Sequence, residues 1–331
     1  MGRFLEAEKL RQVSFKTTSP YFSCEARSEG VYKGRPRPFC LPRAFAVENL
    51  FPKIRQVITA YFAAKEIKWH DGRDGNPSNH LCDSQVCCAN FLFPFADKPR
   101  ALAALLHPVF PEIQQMLPME DPGQFVSFEW IGLRNYLGER IPRHGKRIRG
   151  ANFTSADAAV MFERQDGERQ IVLIEWKYTE SYSSTPLKVA KSGTDRTVIY
   201  AHLYEREDFP LDKELLPSFE TLFYEPFYQL FRQQALAHEM ERARELGVKV
   251  VSLLHIAPAH NTDFQRVTSP ALRAIEDSVM AVWKRLVQKS HGFMSISTEE
   301  LYSRFPVAKF PRLAAWWEYT TARYSWIQAT A

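Results

Sequence analysis

The sequence predicts an α/β protein whose core runs helix, strand, strand, strand, helix, strand, with helical additions at both ends. Three observations carry this prediction. Apolar residues cluster in short runs at 124–132, 155–163, 169–180 and 248–258, the length of strands rather than of helices. "RQDGER" lies between the second and third runs and is a hairpin turn signal. A long helical segment, "EPFYQLFRQQALAHEMERAREL" (225–246), separates the third run from the fourth and stops at Gly247, a favourable residue after a helix end.

The elements follow in chain order. Residues 1–42 read as irregular, with scattered Pro, Arg and aromatic residues, and 41–66 as one or two helices broken at Pro52. "HDGRDGNPSN" (70–79) is dense in turn formers and reads as a loop. "HLCDSQVCCANFLFP" (80–94) predicts a helix ending before Pro94, and 98–117 a second one. "QFVSFEWIG" alternates apolar and polar residues and opens the strands. A long connection containing "KSGTD" runs to about 216, and 270–331 reads as mainly helical. No internal repeat or low-complexity linker divides the chain. The expectation is one core (79–258) carrying an N-terminal helical and irregular extension (1–78) and a C-terminal helical extension (259–331).

Composition narrows the function classes. At 45% hydrophobic residues the 331-residue chain can bury a large core, which excludes disordered and fibrous classes. No apolar run reaches the roughly 18 residues of a membrane span. The charged start "MGRFLEAEKLRQ" lacks an apolar signal core, and Glu6 stands where myristoylation needs Ser or Thr. Five cysteines, an odd number in loose spacing, do not form a secreted disulfide framework. These features predict a soluble cytoplasmic protein. A net charge of +5 permits an anionic partner without requiring one. His80, Cys82, Cys87 and Cys88 lack a C-x₂-C pair and read as core residues rather than a zinc site. Neither a Walker motif nor a nucleophile elbow is present.

The informative stretch is "IEWKYTE" (174–180). Val172, Ile174 and Trp176 lie on one side of the strand and Ile171 and Leu173 on the other, as in a central strand. Glu175 and Lys177 extend the second face. Burying either charge alone costs several kcal/mol, so each needs a partner or a metal. Asp157, in "SADAAV", is the candidate acid on the preceding strand, and the turn decides whether it meets Glu175. A two-residue Asp166-Gly167 loop pairs Asp157 with Trp176 and puts the acid on the wrong face. A three-residue loop, Gln165-Asp166-Gly167, or a bulge, pairs it with Glu175. Two facing carboxylates can hold Mg²⁺, with Mn²⁺ expected to substitute, and leave positions for water and phosphate. The lysine can orient the water or stabilise developing negative charge. Hydrolysis of a nucleic-acid backbone fits that chemistry. A buried Asp–Glu–Lys ion cluster without catalysis is the bland alternative.

"SAD" at 155–157 followed by "EWK" at 175–177 resembles the PD-(D/E)XK nuclease superfamily, with Ala156 in place of the motif's proline. "HLCDSQ", "FEWIG", "TSADAAV", "LIEWKYTE" and "FYQLFRQQALA" together, spanning roughly 80–256, look like a family of prokaryotic restriction endonucleases. The resemblance implies a restriction-endonuclease-like αβββαβ core with a mixed central sheet flanked by helices, and a Mg²⁺-dependent deoxyribonuclease acting in restriction or mobile-element defence. Asp157 and Glu175 would bind metal and Lys177 would assist the attacking water. Glu129, on the first strand, would be a third acid or an orienter of the metal or lysine. Gln85, in "DSQ" on the first core helix, would complete the site, with Asp83 a weaker candidate. Gln229 and Gln233, one turn apart on the 225–246 helix, would stand beside the catalytic strand. "ERIPRHGKRIRG" (139–150), with Arg143, Lys146, Arg147 and Arg149, is the densest basic stretch and would grip phosphates together with Gln229. DNA is the implied partner. A homodimer suits a double-strand cut, which needs two active sites or two visits. A catalytically inactive nucleic-acid-binding module that keeps the fold is the competing reading.

Overall fold

A computed structural model of the chain describes residues 2–141, 145–151 and 153–328. Its centre is a mixed six-stranded sheet. The strands are β3 (Ile113–Leu117), β4 (Ser127–Trp130), β5 (Ala156–Arg164), β6 (Arg169–Trp176), β7 (Val250–Ala257) and β8 (Phe293–Ser297). β3 and β4 share one edge of β5, and the order continues β5-β6-β7-β8. Pairing is antiparallel up to β6 and parallel from β6 to β8. A separate two-stranded ribbon, β1 (Gly30–Tyr32) and β2 (Arg35–Arg37), precedes the sheet.

β6 is buried on both faces, as its apolar runs require. Val172, Ile174 and Trp176 pack into one core with α1 (Arg3–Thr18), α2 (Arg55–Ala64), α3 (Ser84–Leu92), α4 (Pro99–Leu106), α8 (Thr298–Ser303) and α9 (Ala314–Arg323). Ile171 and Leu173 pack into a second core with α5 (Arg196–Tyr204), α6 (Phe227–Arg242) and α7 (Val279–Leu286). The helix–three strands–helix–strand order of α3, β4, β5, β6, α6 and β7 is therefore present within a larger frame.

Four stretches depart from the sequence reading. Residues 3–18 form α1 rather than irregular chain. Its buried residues include Glu8, Gln12 and Lys16, so the inward face is partly polar and an apolar pattern does not reveal it. The expected helix over 98–117 stops at Leu106. Pro108 and Pro111 follow, and Ile113–Leu117 pairs with β5 instead. The 181–216 connection contains α5, capped by Asp195, whose side chain accepts from Thr197 N. The tail contains β8, parallel to β7. In addition, α6 ends at Arg242, before Gly247, and the chain turns through left-handed Arg244 and Leu246.

The β5–β6 hairpin sets the register of the candidate site. Arg164 N donates to Glu168 O at 2.8 Å and Gly167 N to Arg164 O at 2.9 Å, closing a three-residue loop, Gln165-Asp166-Gly167. Gly167 takes φ +81°, the left-handed position that such a loop reserves for glycine. The register runs Ala158↔Ile174, Ala159↔Leu173, Val160↔Val172. The register ends at Ala158↔Ile174, and Asp157 and Glu175 adjoin that last pair on the two strands.

His80 links the ribbon to the core and is held neutral. Its Nδ1 accepts from Cys82 N at 3.1 Å, and burial lowers its pKa to about 4. The folded value lies below the unfolded one, so protonation opposes folding. Stability is full above about pH 6.5 and is lost as pH falls toward 4. Urea unfolding should therefore show up to about 2 kcal/mol less stability at pH 5 than at pH 7 from this group. His80→Gln should reduce that pH difference; an identical pH dependence in both proteins would exclude His80 as its source.

Candidate active site

Glu175 and Lys177 stand on the face of β6 covered by α6, and their charges are satisfied there. Lys177 Nζ forms an ion pair with Glu175 Oε1 and donates to Gln229 Oε1 at 2.7 Å. Glu175 Oε2 accepts from Gln233 Nε2, which also donates to Ser155 O at 3.0 Å. Gln229 and Gln233 are four residues apart on α6 and thus project side by side. One holds the amine and the other the acid. Glu175 and Lys177 are only 1% and 6% exposed. Burial depresses the ammonium's pKa, but Glu175, Tyr182, Glu180 and Asp157 outweigh it and hold Lys177 well above its ordinary value. Lys177 is a cation here, paired with Glu175, and one of the ammonium's three N–H groups is donated to Gln229.

Asp157, half-buried, reaches across the strand pair. Its Oδ2 accepts from Trp176 N at 2.7 Å, while Oδ1 has no hydrogen-bond partner among the described residues. Burial, then the like charge of Glu175, pushes Asp157 well above the carboxylate range.

Glu129 enters from β4 through an unusual backbone. It takes φ +50°, left-handed for a residue with a side chain. The β4–β5 pairing runs Phe128↔Ala158 and resumes at Trp130↔Ala156, with Glu129 unpaired between them. Phe128 and Ala158 belong to one core, Trp130 and Ala156 to the other, so both strands switch faces at this point. Arg149 braces the irregularity. Its Nε donates to Phe128 O at 2.9 Å and Glu129 O at 3.2 Å, and its Nη1 pairs with Glu120 Oε1 at 2.7 Å. Gly150, at φ +67°, lies close over the same residue. A Cβ there would approach Lys68 O to 2.4 Å.

The turned backbone delivers the Glu129 carboxylate to three groups. Gln85 Nε2 donates to Oε1 at 2.6 Å, Ser155 Oγ donates to Oε2 at 2.7 Å, and His70 Nε2 lies 3.6 Å from Oε1. Gln85 Oε1 accepts from His70 N at 2.7 Å, so one glutamine fixes both the acid and the loop carrying the histidine. Burial raises the pKa of Glu129, and His70, Ser155 and Gln85 oppose the rise.

The structure thus gathers Asp157, Glu175, Lys177, Glu129, Gln85 and Gln229. Asp83 is instead the cap of α3, accepting from Val86 N at 2.9 Å. The basic stretch is largely consumed by the protein. Besides Arg149, Lys146 pairs with Glu66, and Arg147 donates to Ile131 O and lies over the Phe153 ring. Arg143 falls outside the described residues. Tyr178 is core, with its hydroxyl donating to Glu8 Oε2 at 2.5 Å. Cys40, Cys82, Cys87 and Cys88 are buried free thiols.

Four residues outside the sequence-derived set also reach the cluster: His70, Ser155, Glu225 and Arg232. Arg232 donates to Thr154 Oγ1 at 3.2 Å and stacks 4.5 Å over Tyr228. Glu225 has a buried carboxylate oxygen, Oε2, without a hydrogen-bond partner. Ser155 adjoins "AD" and was the legible one. No spacing marks His70.

The donor chemistry suits a divalent cation. Glu129, Asp157, Glu175 and Glu225, when ionised, face the two cations Lys177 and Arg232, leaving two negative charges unbalanced. All the donors are hard oxygens. Among the described residues no three His, Cys, Asp or Glu side chains converge as a closed metal cage. Mg²⁺ does not need one, because it is commonly held by one or two carboxylates with water and phosphate completing its shell.

A family model, Restriction Endonuclease associating with ARP, matches residues 9–325. The chain belongs to this family of restriction endonucleases, and the match runs well beyond the 80–256 segment into both flanks. No curated protein and no solved structure matches.

Arg149 and Lys146 separate structural from surface cations. Arg149→Met should lower stability by about 2–4 kcal/mol, since it strands buried carbonyls and Glu120. Lys146→Ala, which breaks an exposed pair, should stay within about 0.5 kcal/mol. Urea denaturation checks both; equal effects would contradict the brace.

Proposed function

We propose that the chain is a Mg²⁺-dependent endonuclease that hydrolyses DNA phosphodiester bonds at the cluster of Asp157, Glu175 and Lys177. The observation that carries this reading is the register. Asp157 and Glu175 adjoin the last β5–β6 register pair, Ala158↔Ile174, and Lys177 forms an ion pair with Glu175, in a member of a restriction endonuclease family.

Asp157 and Glu175 would hold the metal, with Asp157 Oδ1 the oxygen free to bind it. When bound, Mg²⁺ would supply charge stabilisation on the phosphodiester and a more acidic water. Lys177 would act as a hydrogen-bond donor and fixed positive charge, not as a base, because Glu175 keeps it protonated. An N–H not donated to Gln229 would orient the attacking water or meet a phosphate oxygen as negative charge builds. Gln229 and Gln233 would fix the ammonium and the Glu175 carboxylate, so that little reorganisation is needed during reaction. Glu129, held by Gln85 and Ser155 beside the pair, would tune the local charge and keep the Ser155–Asp157 segment in place.

The competing reading is a nucleic-acid-binding module that keeps the fold without catalysis. Supercoiled-plasmid nicking separates the two. The wild-type chain should nick with Mg²⁺ or Mn²⁺ and stop in EDTA. Lys177→Ala and Asp157→Asn should each reduce nicking by about 10²–10³-fold or more while retaining a cooperative melt. Wild-type rates in either variant would refute the mechanism. Absence of nicking by the wild-type chain with any divalent cation would favour the module.

A further inference from the structure

The expected phosphate-gripping stretch, 139–150, has spent most of its described cations on the protein itself. A different surface has not. The β1–β2 ribbon projects Lys33, Arg35 and Arg37, and the neighbouring chain adds Arg43 and Arg73. None of these five side chains has a carboxylate within 4.0 Å or a side-chain hydrogen bond among the described residues, and Lys33, Arg35, Arg43 and Arg73 are exposed.

The ribbon is built to project. Gly30↔Arg37, Val31↔Pro36 and Tyr32↔Arg35 pair across a two-residue turn in which Lys33 (φ +49°) and Gly34 (φ +76°) are both left-handed. That is the tight hairpin turn whose twist matches a two-stranded ribbon. Among the described residues no other strand pairs with it. Its base is fixed to the body. Gly30 N donates to Cys40 O at 3.1 Å and Asn79 Nδ2 to Val31 O at 3.2 Å. The backbones approach so closely that a Cβ on Gly30 would lie 1.9 Å from Leu41 O.

The ribbon also leads to the candidate active site. Tyr32 OH donates to Asp71 Oδ2, and Asp71 is the chain neighbour of His70, whose ring lies 3.6 Å from Glu129. Lys33, Arg43 and Arg73, with Tyr32, Asp71 and Asn76, line a cavity of about 290 Å³. Three cations, Lys33, Arg43 and Arg73, face two carboxylates, Asp71 and Asp74, in this lining, an excess of one positive charge.

We infer that the β1–β2 ribbon and the 70–76 loop form a cradle for the phosphates of a DNA duplex, one that positions the backbone over the acid cluster. The inference rests on the nuclease reading for its choice of DNA. Five cations without a carboxylate partner among the described residues, two of them (Lys33 and Arg37) lying over the Tyr32 and Phe39 rings, suit a polyanion with regularly spaced charges, because each phosphate contact releases condensed counterions. The surface offers positioning and affinity rather than sequence readout.

Binding of a fluorescein-labelled duplex of about 30 base pairs, measured by anisotropy in EDTA across a salt series, tests the cradle apart from cleavage. Lys33→Ala/Arg35→Ala/Arg73→Ala should weaken binding at least tenfold near 100 mM salt and flatten the log Kd–log salt slope by about 2–3, at roughly 0.9 per phosphate contact. Arg35→Glu alone, at the exposed tip, should weaken binding several-fold. Unchanged affinity and slope in the triple variant and in Arg35→Glu would overturn the cradle whether or not the wild-type chain nicks plasmid. Equal affinity for polyglutamate would overturn its assignment to nucleic acid. A chain that binds through these residues yet never nicks would sink the nuclease reading and leave the cradle standing.

Discussion

The ion pair between Glu175 and Lys177 is the constraint around which this molecule is organised. Both groups are buried on a central strand, where an isolated charge costs several kcal/mol and a single unpaired partner would be worse than none. Each is satisfied by the other and by one glutamine of α6. The pair therefore dictates what can cover that face of the sheet. α6 must present Gln229 and Gln233 at one turn's spacing, between apolar neighbours such as Leu230 and Phe231 that belong to the second core. Gln233 also reaches Ser155 O, which ties the start of β5 to the same helix.

A second polar device shapes the opposite edge. Glu129 holds a left-handed backbone that a non-glycine residue adopts only when its surroundings over-determine it. Here the surroundings are Arg149 on the neighbouring carbonyls and Gly150 close by. The carboxylate then faces Gln85, Ser155 and His70. This explains why a basic stretch that looks free in one dimension is bound in three. Arg149 is part of the scaffold that shapes the acid cluster, and the exposed positive surface lies instead on the ribbon formed near the N-terminus.

The flanks are joined to the core by buried polar groups rather than by apolar contact alone. Tyr178, directly after Lys177, donates to Glu8 of α1. Arg323 of α9, 1% exposed, donates to Gln12 Oε1, Leu81 O, Asn49 and Tyr319. Such a network connects α1, the 43–54 segment, the α3 approach and α9, and breaking one member leaves the others unsatisfied. A family match across residues 9–325 is consistent with flanks integrated in this way.

The α/β class, the positions of β4, β5, β6 and β7, and the acid–base pair at the end of β6 were legible because they rest on local rules. Side chains alternate along a strand, β6 is apolar on both faces, and Asp-Gly in "RQDGER" marks a turn. The sequence even reduced the meeting of Asp157 and Glu175 to one loop residue. What it left open were features whose partners are distant in the chain. α1 was hidden because Glu8, Gln12 and Lys16 on its inward face are satisfied by Tyr178, Arg323 and backbone carbonyls elsewhere. His70 carries no local signature, and the basic stretch that marks Arg149 does not show that it braces the Glu129 backbone. Only the tertiary structure determined which charges are spent internally and which face solvent, because a cation's role is set by the carboxylates and carbonyls within about 4 Å of it, and those are placed by the fold.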